Sequence, residues 1–141
     1  MKLSLYLYYM RYIITQGQLD SIVYNYLDEK FSESDGKKIV NPHNPDAYRI
    51  ELHPNTGNEK ITYYFYGSGE FDDAYFGMEP RKHYGIGHLH IHPDIVDTIR
   101  LMITIRETKV VDIIADWFSQ KFDVDIDEVS IFPKRGKTPV Y

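Results

Sequence analysis

Apolar residues recur at helical spacing in some stretches of this chain and alternate with polar ones in others, and that pattern divides it into elements. Leu19, Ile22, Val23, Tyr26 and Leu27 fall at i, i+3, i+4, i+7 and i+8, one stripe of a helix running to about Phe31. Thr15 and Gln18 supply the hydroxyl and the amide of a capping box at its start. Met10 to Thr15 reads as a short strand or lead-in, and Ser32 to Gly36 ends the helix. Asn41-Pro42-His43-Asn44-Pro45 is expected to be a loop, because each proline lacks an N–H and biases its predecessor away from helix.

From Tyr48 to His53 the chain alternates, with Tyr48, Ile50 and Leu52 on one face and Arg49, Glu51 and His53 on the other. Lys60 to Tyr66 alternates again, and Pro54 to Asn58 supplies turn residues, so the two segments predict a hairpin. Gly67 to Gly85 is long and acidic at Glu70, Asp72 and Asp73; such a loop is either functional or hides a short strand such as Tyr75 to Met78. Pro93-Asp94 starts a short helix with Ile95, Ile99 and Met102 on one face, and Thr104 to Arg106 breaks it. The strongest helix runs from about Glu107 to Lys121, with Val110, Ile113, Ile114, Trp117 and Phe118 on one stripe. Val129 to Phe132 is a final strand, stopped by Pro133. The sum is an α+β fold: an antiparallel sheet with an N-terminal helix and a C-terminal helical pair packed on one face.

At 141 residues the chain reads as a single domain, 1–141. Residues 1–9 read as an extension before the natural start, and 134–141 as a basic tail. Its net charge of -5 speaks against a nucleic-acid surface, which needs clustered Lys and Arg; Lys134, Arg135 and Lys137 are instead expected to be a solubilising end. With no cysteine, disulfides, thiolate catalysis and Cys-based zinc sites are excluded. No run approaches the roughly 20 apolar residues of a membrane span, and the expectation is a cytoplasmic protein without membrane contact. Thirteen Tyr against only Ala47, Ala74 and Ala115 point to an AT-rich gene.

The run Gly85-Ile86-Gly87-His88-Leu89-His90-Ile91-His92-Pro93-Asp94 carries the candidate chemistry. In a strand, Leu89 and Ile91 point inward and His88, His90 and His92 point away. Alternate residues are about 6.6 Å apart, so two neighbours such as His90 and His92 can converge on one zinc ion, with Asp94, Asp97, Asp72 or Asp73 as the carboxylate. The competing reading is a wetted sheet face on which His90 pairs with a residue such as Glu51. Glycine-rich phosphate loops and a Gly-x-Ser-x-Gly elbow are absent, which counts against nucleotide binding and serine hydrolysis. Asp123-Val124-Asp125-Ile126-Asp127 begins like a calcium loop but has Glu128 where Gly is needed and Lys134 where the bidentate Glu belongs, so an alternating strand edge is expected there. Tyr63-Tyr64-Phe65-Tyr66 places aromatics on both faces of its strand: one face is core, the other a candidate contact patch.

His90-Ile91-His92-Pro93 resembles the His-x-His-Pro element of the JAMM (MPN-domain) metallopeptidases, which cut isopeptide bonds with a zinc-bound water. Glu33-Ser34-Asp35-Gly36 is similar to that family's Glu-x-x-Gly segment. The resemblance implies zinc on His90 and His92, Asp97 as third ligand and Glu33 as general base. The family's Ser-x-x-Asp is absent, and Asp94-x-x-Asp97 follows Pro93 with no intervening loop. A second resemblance covers more of the chain. Met10 to Leu19 resembles the opening of small uncharacterised proteins of tailed phages, and Ile113 to Phe118 with Val129 to Phe132 resembles their close. It implies Met10 as the natural start, a location in the host cytoplasm or the virion, and a structural histidine strand, and it carries no assigned activity. The expected function is therefore a small non-enzymatic accessory or interaction protein, free of cofactors, that binds a protein partner or itself. The alternative is a zinc-dependent hydrolase using His90, His92, Asp97 and Glu33.

Overall fold

A computed structural model describes residues 15–67 and 86–132. Helix α1 (Gln16–Lys30) starts on the expected capping box: the Thr15 hydroxyl accepts from the Gln18 N–H, and the Gln18 side chain accepts from the Thr15 N–H. Val23 and Leu27 on its stripe are fully buried, and Phe31 closes it. The turn Pro54 to Asn58 then clamps the end of α1 through Asn55. Its side chain donates to the Glu29 carbonyl and accepts from the Glu33 N–H, and its own N–H reaches the Lys30 carbonyl. Carbonyls left unpaired at a helix C-terminus thereby find donors.

Five strands form one sheet in sequence order: β1 (Lys37–Asn41), β2 (Asn44–Leu52), β3 (Ile61–Phe65), β4 (Gly87–Ile91) and β5 (Glu128–Ile131). The first four pair antiparallel. The fifth joins β4 in parallel, so the sheet is mixed where an antiparallel one was expected. The reason lies in the connection. Parallel neighbours need a long crossover, and α2 (Pro93–Met102) with α3 (Glu107–Phe122) provides it, returning the chain to the end of the sheet where β4 began.

Alternation on the strands produces one buried face. Ile50, Leu52, Ile61, Tyr63, Leu89 and Ile91 meet Val23 and Leu27 of α1, Ile95, Val96 and Ile99 of α2, and the stripe Val110, Ile113, Ile114, Trp117 and Phe118 of α3. The three helices thus cover one side of an α+β fold. Trp117 satisfies its indole N–H on Asp28 at 2.8 Å, tying α3 to α1.

Three local expectations change. Asn41 to Pro45 is not a free loop, because Asn41 ends β1 and Asn44 begins β2, with Pro42-His43 as the hairpin turn. Pro42 lies in the turn, and Pro45 falls in the register shift between Val40 and Asn41, where it has no paired partner and a missing N–H costs no ladder bond. Met102 is about half exposed at the end of α2, and Val96 takes the buried place instead. Residues 123–127 form no strand. Asp123 adopts a left-handed conformation that ends α3, and the segment docks on the start of β4: Asp127 exchanges bonds with Gly87, its N–H to the carbonyl and its carboxylate to the N–H. The expected lead-in over 10–14, the strand Tyr75 to Met78, Asp72, Asp73 and the basic tail lie outside the described residues.

Candidate functional site

Leu89 and Ile91 are fully buried, and His88 and His90 stand on the other face of β4. That face is built by register. Tyr64 lies opposite His88 and Thr62 opposite His90 on β3; on β5, Glu128 lies beside His88 and Ser130 beside His90. Among the described residues no helix covers this side of the sheet.

The two imidazoles touch, with ring centroids 4.5 Å apart in an edge-on arrangement. His90 also packs on Tyr64 at 4.9 Å and on Phe132 at 5.5 Å. Removal from water and the neighbouring His88 hold the His90 pKa below the ordinary imidazole value, which favours its neutral form. His88 is anchored at both nitrogens: Nε2 lies 2.7 Å from the Ser130 hydroxyl and Nδ1 3.4 Å from the Glu128 carboxylate. Tyr66 continues the patch beyond Tyr64, and burial, with Tyr64 and Glu128 adding to it, raises its phenol pKa. Phe132 is 59% exposed at the other end. Tyr64 and Tyr66 also wall an open cleft of about 410 Å³, shared with Ile39, Ala47 and Arg49.

His92 leaves the row. The strand ends at Ile91, and His92 becomes the N-cap of α2, its Nδ1 accepting the Asp94 N–H at 3.1 Å. Pro93 at the first helical position explains why the chain turns there. Glu33 sits past the end of α1, lining an open cleft with Asp35, Lys37, Glu51 and His53. The structure does not gather His90, His92 and Asp97 into one ligand set: among the described residues no three His, Asp or Glu side chains are placed to hold a metal ion. Nor does His90 pair with Glu51, whose carboxylate faces Arg49, His53 and Lys60 at 3.5–3.8 Å.

No family model, curated protein or solved structure matches this chain. The site is therefore read from its own geometry. Sequence reasoning missed Glu128 and Ser130 as neighbours of the histidines. The alternation of Val129 to Phe132 already put Ser130 and Phe132 on one face, but only the parallel register brings them beside β4.

Proposed function

We propose that this chain is a small interaction protein whose contact surface is the sheet face bearing Tyr64, Tyr66, His90 and Phe132. The observation that carries this reading is the contiguous row of aromatic and imidazole rings there, ending in Phe132 at 59% exposure. A large ring left in water forgoes the burial that elsewhere drives folding, and grouped rings of this kind favour protein contacts. The neutral form favoured at His90 supports the same reading, because an uncharged centre costs less to desolvate. The partner is a second copy of the chain or another protein. A phage origin remains part of the proposal on the strength of the sequence resemblance alone.

Phe132→Glu places a charge at the exposed end of the patch without touching the core. Sedimentation of wild type and variant, alone and with extract of the source cells, is expected to show a larger species that the variant loses. A wild type that sediments as a monomer under both conditions, or a complex that survives in Phe132→Glu, contradicts the proposal.

A further inference from the structure

The same face holds a line of three side chains, joined by one hydrogen bond and one longer imidazole–carboxylate contact, that belongs to a different kind of chemistry. Ser130 Oγ, His88 Nε2, His88 Nδ1 and Glu128 Oε2 follow one another at 2.7 Å across the first gap and 3.4 Å across the last. We propose that Ser130, His88 and Glu128 form an acyl-transfer site for carboxylic esters, with Ser130 as nucleophile, His88 as general base and Glu128 as positioning residue.

The arrangement follows from the backbone. Glu128 and Ser130 are two residues apart on β5 and share a face, and the parallel register sets His88 beside Glu128, with Ser130 two positions further along, opposite His90. A carboxylate on the Nδ1 side selects the tautomer protonated there, which leaves the Nε2 lone pair to accept the Ser130 hydroxyl. That is the division of roles a serine nucleophile needs, and such constellations are recognised by geometry rather than by sequence order. The His88 side chain is 18% exposed and that of Glu128 64%, so the base is sheltered while the site opens to solvent.

Two neighbouring features fit an ester. Among the described residues β5 pairs with β4 alone, and an edge strand presents unpaired backbone N–H groups, the donors that stabilise an oxyanion. Beside Ser130, the His90 and exposed Phe132 rings pack together at 5.5 Å, a ring surface that suits an aromatic group on the substrate. In the reaction, Ser130 Oγ bonds to the carbonyl carbon as its proton passes to His88 Nε2. The tetrahedral adduct collapses, the ester C–O bond breaks, and the alkoxide leaves as the alcohol with the proton from His88. Water then attacks the acyl-Ser130 with His88 again taking the proton, releasing the carboxylic acid and restoring the hydroxyl.

The test is labelling of the full chain with a fluorophosphonate probe, with the adduct mapped by peptide mass spectrometry and hydrolysis of p-nitrophenyl acetate followed in parallel. The expected result is an adduct on Ser130 that Ser130→Ala lacks. His88→Gln is expected to slow labelling by about a hundredfold or more, and Glu128→Asp to label faster than Glu128→Gln. Circular dichroism and melting temperatures check that the variants fold; Glu128→Gln, at an exposed side chain, keeps the test open if His88→Gln does not. An unlabelled Ser130 in the folded wild type, or equal rates in wild type and Glu128→Gln, overturns the proposal. Labelling is done at concentrations where the protein sediments as a monomer, so that assembly through the same face does not shield Ser130 and the two proposals are tested separately.

Discussion

His90 and Tyr63 stand on adjacent strands, face opposite sides of the sheet, and both make the fold sensitive to pH. The His90 pKa is depressed by burial and by His88, so the fold favours neutral imidazole. A depressed histidine contributes stability that is present above its unfolded pKa of about 6.5 and is lost as pH falls through the folded value. Urea midpoints measured at pH 7.5 and pH 5 should therefore differ less in His90→Phe than in wild type. An unchanged difference would mean that His90 is not the group responsible. Tyr63 works at the opposite limb. Burial raises its phenol pKa far above the ordinary value, with Tyr48, Asp127 and Asp125 adding to it, and its hydroxyl donates to the Asp125 carbonyl at 2.9 Å. A raised pKa gives stability that is complete below the unfolded value of about 10 and is lost as pH climbs through the folded one. Tyr63→Phe should cost about 1–3 kcal/mol at neutral pH, by leaving a carbonyl unpaired, and should reduce the alkaline loss of stability above pH 10. Denaturant titration at pH 7 and pH 11 reads both effects.

The element that decides the shape of the site is the junction of β4 with the segment before β5. Gly87 is buried there, and a Cβ on it would collide with the Asp125 carbonyl and the Tyr63 hydroxyl. Backbone on one side cannot give way without breaking the paired bonds between Gly87 and Asp127. Gly87→Ala is expected to destabilise the fold by about 1–3 kcal/mol, and to loosen β5, read as faster amide exchange at Val129 and Ile131. A variant as stable as wild type, with unchanged exchange, would contradict this account of the junction. The same junction shows what was legible in the sequence. The α1 and α3 stripes and the β2–β3 hairpin are read from periodicity, because one face of each lies in the core and the other does not. The pairing of β5 was not legible. Alternation fixes which side chains share a face but carries no information about which neighbour a strand joins, or in which direction. Strand β1 escaped for a different reason: as an edge strand carrying Lys37, Lys38 and the exposed Val40, it lacks an apolar alternation to read. His92 was assigned to the histidine row by spacing, and the Pro93-Asp94 helix start took it as a cap.

At the scale of the whole molecule, three helices cover one side of a five-stranded sheet, and among the described residues no helix covers the other. Cross-strand register gathers there His88, His90, Tyr64, Ser130, Glu128 and Phe132, although they come from sequence positions far apart. The helical side has exposed apolar groups of its own, Leu101 and Met102 at the end of α2, and they serve as an internal reference. Hydroxyl-radical footprinting of the protein, across a range of concentrations and in extract of its source cells, compares the two sides in one experiment. The account predicts that oxidation of Phe132 and Tyr66 falls as the complex forms while Leu101 and Met102 stay equally reactive. Undiminished oxidation of Phe132 and Tyr66 under every condition, or protection confined to Leu101 and Met102, would contradict the claim that the sheet face is the contact surface.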